Sequence, residues 1–226
     1  MKKGGNAFDA MMATEMALAV TYPYAGNLGG GGFMVYRLAN GDIGALDYRE
    51  KAPLAASKHM YLDAQGNVIP DKSTVGAFAV AIPGTIAGIF EAHKKFGKLQ
   101  VTEILEPVIA LAERGFVVTA QQKARFDEFD SIFRVVNGKA ILYHKDLKAG
   151  DTIKNYALAK ILQRIANDGR DAFYKGEIAE NLVSYITEKG GIITMEDFKH
   201  YEAVWREPVT FFYKDLKVIS MSPPSS

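Results

Sequence analysis

Residues 32–48 read GFMVYRLANGDIGALDY. Two strand-like runs, FMVYRL and IGALDY, flank Asn40-Gly41, and a type I′ turn requires φ > 0 at both central positions, which Asn and Gly tolerate best. The stretch predicts a β-hairpin over residues 32–48. Near the other end VTFFY and LKVISM, separated by Lys214-Asp215, predict a second hairpin. The residues between them are dominated by helical periodicity. Two hairpins flanking a helical middle predict an α+β chain, with an antiparallel or mixed sheet covered by helices rather than a doubly wound parallel sheet.

Ahead of the first hairpin, Asn6 and Asp9 have the spacing of a weak capping box, which predicts a helix from Ala7 to Thr21 ended by Pro23. Apolar residues surround nearly all of it, so it is expected to be packed on both sides. Residues 51–74 carry Pro53, Pro70, AQGN and DKST and read as a long surface excursion. FAVAIPG then predicts a short buried strand, and TIAGIFEAHKKFG a helix with lysines in its last turn and Gly97 as its stop. TEILEPVIALAERG predicts a helix capped by Thr102 and ended by Gly115, with Pro107 near its first turn or kinking it. Three more helices are expected in TAQQKARFDEFDSIFRVV, NYALAKILQRIAND and EIAENLVSYITEKGG, with Gly169 and Gly190 closing the last two. A short one follows in TMEDFKHY, capped by Thr194 with Asp197 at N3.

The chain has 226 residues, 48% hydrophobic and 23% charged, enough to bury a sizeable core, and reads as one partial domain over residues 1–226. Its formal net charge is +1, with lysines and arginines scattered among acidic residues, which argues against a nucleic-acid partner and for a small molecule. There are no cysteines, which excludes disulfides, thiolate metal sites and a cysteine nucleophile. The most apolar window, AFDAMMATEMALAVTYP, is interrupted by Asp9 and Glu15 and is too short to span a bilayer, so no membrane association is expected. MKKGG lacks the apolar stretch and cleavage site of a complete signal peptide. The chain starts almost on a helix cap and stops at SMSPPSS after a predicted strand, so both ends read as cut.

Gly29 to Gly32 invite a phosphate-loop reading, but phosphate cradles run strand, glycine loop, helix N-terminus. Here a helix delivers its negative C-terminal end to the glycines and a strand follows, with no G-K-[ST] and no G-x-G-x-x-G. A tight helix-to-strand turn, or a ligand approaching bare backbone, remains. His59, His93, His144 and His200 are widely spaced and form no local metal signature, and no serine lies in a G-x-S-x-G setting, so neither metal nor cofactor is expected. Arg49 in LDYRE follows a buried-looking strand, one period after Asp47 on the same face. A guanidinium there presents a rigid fork suited to the α-carboxylate of an amino acid. The alternative is an ordinary ion pair with Glu50 or Asp47.

Taken together, GGNAFDAMMATEMALAVTYPYAGNLGGGGFMVYR, DYREKAP, IPGTIAG, GGIITMEDFKHYEAV and SMSPPSS resemble the large subunit of bacterial γ-glutamyltransferases, also called γ-glutamyltranspeptidases or glutathione hydrolases. The resemblance runs in order along essentially the whole chain. It implies part of the αββα sandwich of an N-terminal-nucleophile hydrolase, incomplete at both ends, made as a precursor that cuts itself into large and small subunits. It also implies a threonine nucleophile, newly exposed at the start of the small subunit and activated by its own α-amino group. The family's cleavage site has two threonines followed by histidine, and this sequence contains no Thr-Thr pair, so the nucleophile is expected outside this chain. Arg49 matches the family arginine that pairs with the α-carboxylate of the γ-glutamyl group, and Glu50 is assigned a supporting role. The implied partners are glutathione and other γ-glutamyl compounds, amino-acid or peptide acceptors, and the small subunit of the same precursor. The implied location of the intact enzyme is periplasmic or secreted. A related amidase resembling cephalosporin acylases, and an inactive fragment or subunit-interaction module, are the competing readings.

Overall fold

The computed structural model describes residues 2–144 and 146–225. Met1 of MKKGG and Ser226 of SMSPPSS lie outside the described residues. Helix α1, Ala7–Thr21, begins on the predicted box: Phe8 and Asp9 donate their N–H groups to Asn6 Oδ1 at 2.9 and 3.2 Å, and the Asn6 N–H donates to Asp9 Oδ2 at 2.7 Å. Met12, Met16 and Val20 enter the main core, while Phe8 and Met11 pack on a second cluster beside the sheet. The helix is covered on both sides, as its all-round apolarity requires.

Strands β1, Phe33–Arg37, and β2, Ile43–Asp47, pair antiparallel with Phe33 opposite Asp47 and Arg37 opposite Ile43. Gly32 and Tyr48 extend the pairing through mutual backbone bonds of 3.3 and 3.0 Å. The turn is not type I′. Gly41 N–H donates to Leu38 O at 3.0 Å, Leu38 N–H donates to Asp42 O at 2.7 Å, and Gly41 alone of the loop has positive φ, at 96°. The loop is thus Ala39-Asn40-Gly41, a tight turn closed by a left-handed glycine. Asn40 contributes through its side chain instead, its Oδ1 accepting the Asp42 N–H at 3.1 Å.

Residues 51–74 form the expected irregular excursion, with isolated bridges at Lys51–Ile82 and Leu62–Val68. FAVAIPG is not a strand. Ala77–Ala79 form a 3₁₀ turn and Ile82 alone bridges to Lys51, because Pro83 has no N–H to donate and Gly84 already caps a helix. That helix is α2, Thr85–Phe96. Helix α3, Val101–Arg114, is capped by Gln100, whose N–H donates to Glu103 Oε2 at 3.2 Å, rather than by Thr102, and it carries Pro107 in its interior. Then come β3 (Phe116–Val117), α4 (Ala120–Asn137), β4 (Thr152–Ile153), α5 (Tyr156–Asp168), α6 (Arg170–Tyr174), α7 (Glu177–Glu188) and α8 (Met195–Lys199). Apolar faces of α1, α2, α3, α5, α6 and α7 close the main core around Met16, Ile86, Leu105 and Leu162.

Two strands near the end complete the picture differently from the sequence expectation. Strand β5, Val204–Arg206, pairs antiparallel with β2, with Ala45 opposite Arg206 and Asp47 opposite Val204, giving a sheet ordered β1-β2-β5. Its three residues are too few for a periodic signal. The second hairpin, β6 (Val209–Tyr213) and β7 (Leu216–Ser220), turns at Lys214-Asp215 as expected, with Lys214 at φ 55°, but forms a separate two-stranded sheet. Strand alternation places Leu46, Tyr48 and Trp205 on the helix side of the central sheet and Ala45, Asp47 and Arg206 on the other. Arg49 leaves the sheet on that second side.

Candidate active site

The glycine run sits between the end of α1 and the start of α2. Gly30 O accepts the N–H groups of Gly84 and Thr85 at 2.8 and 3.0 Å, capping α2 where Gly84 has no side chain to do so. None of Gly29, Gly30, Gly31 and Gly32 has positive φ. What the run supplies is space: a Cβ at Gly31 would lie 2.5 Å from Tyr48 O and 2.8 Å from Glu50 N, and one at Gly32 would lie 2.9 Å from the Tyr48 ring. The bare backbone lets the chain press against the segment that carries Arg49. A Cβ at Gly84 would overlap both Tyr48 O and Tyr201 Oη, so the start of α2 closes on the same segment from the other side.

Asp47 and Arg49 share a face, but they do not form a side-chain ion pair. Asp47, 8% exposed, accepts the Arg49 N–H on Oδ1 at 3.0 Å and the Arg206 Nε–H on Oδ2 at 2.8 Å, with Arg206 Nη2 in ion-pair contact with the same oxygen at 2.7 Å. On the other flank of Arg49, Tyr201 Oη donates to the Arg49 carbonyl at 2.6 Å. Burial pushes the Tyr201 hydroxyl well above its ordinary value, and the neighbouring Tyr174, Asp47 and Glu50 add to this, so it is a neutral donor. Burial likewise pushes the Tyr48 hydroxyl up to about 12, with the Glu15 charge contributing.

The Arg49 guanidinium is left half-exposed, with Nε 3.9 Å from Glu50 Oε2 and Cζ 5.7 Å from the centre of the Phe33 ring. The Glu50 distance is beyond a hydrogen bond. Of the two residues singled out in the sequence, then, Arg49 and Glu50 lie side by side at the rim of the glycine run. The residues that hold Arg49 in place were not legible: Tyr201 and Arg206 reach the 47–49 segment from 152 and 159 positions away in sequence.

The model of the gamma-glutamyltranspeptidase family matches residues 1–226. The chain belongs to this family. A glutathione hydrolase proenzyme of Pseudomonas aeruginosa is 46% identical over 228 residues, covering 100% of this chain and 40% of that protein. The crystal structure of Helicobacter pylori gamma-glutamyltranspeptidase superposes with a TM-score of 0.95 at 43% identity, over 99% of this chain and 65% of the other. Gamma-glutamyltranspeptidase from Pseudomonas nitroreducens, solved in complex with L-DON, gives a TM-score of 0.91 at 46% identity, over 99% and 66%. The chain therefore spans about two fifths of the length of the curated relative it matches. Its mixture of helices with antiparallel strands is the α+β fold of those neighbours.

Proposed function

We propose that this chain provides scaffold and donor recognition for γ-glutamyl transfer and glutathione hydrolysis in a larger enzyme. In this reading Arg49 pairs with the α-carboxylate of the γ-glutamyl donor, and Glu50 supports it. A threonine hydroxyl attacks the donor's γ-carbonyl carbon, cysteinylglycine leaves with a proton on its amine, and water or an amino acid then takes the acyl group from the threonine ester. The sequence has no Thr-Thr pair, so we place the nucleophile on the small subunit of the same precursor, which is the implied partner. A periplasmic or secreted location is part of the same proposal. Among the described residues no helix is long and apolar enough to cross a membrane.

The observation that carries the proposal is the state of the Arg49 fork. Asp47 is occupied by Arg206, and Glu50 forms only a long ion pair with Arg49 at 3.9 Å, beyond hydrogen-bond distance. A cation whose main chain is fixed on both sides, and whose head group among the described residues has only a long ion pair with Glu50, is prepared to take a closer carboxylate from a ligand. The test is kinetic. Purified chain incubated with a chromogenic γ-glutamyl anilide is expected to release no aniline, and sustained release would overturn the placement of the nucleophile elsewhere. With the small subunit supplied, turnover is expected, and Arg49→Ala should weaken donor use by about 1.5–3 kcal/mol. Donor kinetics unchanged by that substitution would remove Arg49 from the site.

A further inference from the structure

We infer that residues 197–206 act as a clamp that positions Arg49, with Tyr201 and Asp47 as its positioning residues and Arg206 as the anchor of Asp47. The inference rests on the donor-binding role proposed for Arg49. Beside the Asp47–Val204 ladder pairing, four polar side-chain contacts join this stretch to residues 47–54. Leu54 N–H donates to Asp197 Oδ1 at 2.6 Å, Lys51 Nζ donates to Glu202 O at 2.8 Å, Tyr201 Oη donates to Arg49 O at 2.6 Å, and Arg206 grips Asp47 through two nitrogens.

The physical need for the clamp follows from where the ladder stops. Strand β2 ends at Asp47, Tyr48 still pairs with Gly32, and Lys51 pairs again with Ile82. At Arg49 between them the two main-chain groups turn instead to side chains, the N–H to Asp47 and the C=O to Tyr201. These two bonds set the backbone of Arg49 and so the direction in which its side chain starts. Both holders are themselves fixed. Asp47 carries the double contact from Arg206, and Tyr201, 1% exposed, is stacked on Tyr174 at 5.6 Å and 11° with Lys51 Nζ 4.9 Å from its ring. Asp47 and Tyr201 are both buried, so their effect on a donor is expected to pass through Arg49.

The test uses the assembled enzyme carrying this chain, with Tyr201→Phe, Asp47→Ala and Arg49→Ala measured on a γ-glutamyl anilide and on the same anilide lacking the α-carboxylate. Tyr201→Phe keeps the stacked ring and loses one hydrogen bond, so donor KM should rise about fivefold with kcat and acceptor KM little changed. That rise should vanish on the donor without an α-carboxylate and in the Arg49→Ala background, a loss of additivity that a merely structural role would not produce. If Arg49→Ala raises donor KM while Tyr201→Phe and Asp47→Ala, both folded by their melting curves, leave it unchanged, the clamp is overturned and the role of Arg49 stands. If Arg49→Ala itself changes nothing, the donor-binding reading falls and the clamp's functional role falls with it. Should Asp47→Ala fail to fold, Tyr201→Phe alone decides.

Discussion

Arg206 donates its Nε–H to Asp47 Oδ2 at 2.8 Å and brings Nη2 within 2.7 Å of the same oxygen as an ion pair, from a strand 159 residues further along the chain. The pair crosses from the edge strand β5 to the central strand β2 and leaves the second Asp47 oxygen for the Arg49 N–H. Removing Arg206 would leave a nearly buried carboxylate without its cation. Arg206→Ala is therefore expected to destabilise the chain by about 2–4 kcal/mol, the lower end reflecting the partial exposure of the arginine. Chemical denaturation should show this, and an Asp47→Ala/Arg206→Ala double variant should lose less than the sum of the two single changes.

The glycine run offers a second measurement. A Cβ at Gly29 would meet nothing nearer than Asn27 Oδ1 at 3.5 Å, whereas one at Gly31 would strike the main chain at Tyr48 O and Glu50 N. Gly29→Ala is expected to be nearly neutral, while Gly31→Ala should cost about 1–3 kcal/mol through backbone displacement. Paired melting curves test the contrast, and equal behaviour of the two variants would show that space at Gly31 is not limiting.

The first turn of α2 depends on a tyrosine hydroxyl. Tyr174 Oη, fully buried, donates to Pro83 O at 2.8 Å and accepts the Ala87 N–H at 3.2 Å. Tyr174→Phe keeps the ring and strands both main-chain groups, so a loss of about 1–3 kcal/mol is expected. Hydrogen exchange should locate the change at Ala87 and its neighbours before the rest of the helix.

Acid should act through Asp9 and Asp197. Burial alone would push the Asp9 carboxyl up, but the N–H groups of Asn6, Lys98 and Leu99 and the nearby His93 outweigh it and hold it below its ordinary 3.8. Burial opposes the same outcome at Asp197, where the Leu54 N–H, the Thr194 hydroxyl and N–H, and His200 prevail. A carboxyl whose folded value is depressed contributes stability that is complete above the unfolded value and lost as pH falls through the folded one. Stability is thus expected to hold above pH of about 4 and to decline below it. Asp9→Asn and Asp197→Asn should each start from a lower stability at neutral pH and flatten the acid limb, which melting temperature against pH would read directly.

Much of the local structure was legible because its causes are local. Asn6 with Asp9, and Thr194 with Asp197, mark helix starts that depend on atoms three residues apart. Gly115 and Gly169 stop helices α3 and α5 at positions of φ 88° and 74°, which glycine adopts without strain. Arg49 and Glu50 stand out in the sequence through their motif, whereas which carboxylate each arginine meets, Asp47 with Arg206 and Glu50 at 3.9 Å from Arg49, depends on the tertiary structure.

The sequence by itself determined the starts of α1 and α8, the glycine stops of α3 and α5, where the two hairpins turn, and which motif carries Arg49, since each of these is set by neighbours along the chain. Only the tertiary structure decided that Gly31 and Gly32 are needed for space rather than for φ, that three residues at Val204–Arg206 complete the sheet, and that Tyr201 and Arg206 hold the Arg49 segment. A Cβ clash, a ladder partner and a hydrogen bond across 152 residues are properties of distance in space. They come into being when the main core brings α8 and β5 back against the strand that ends at Asp47.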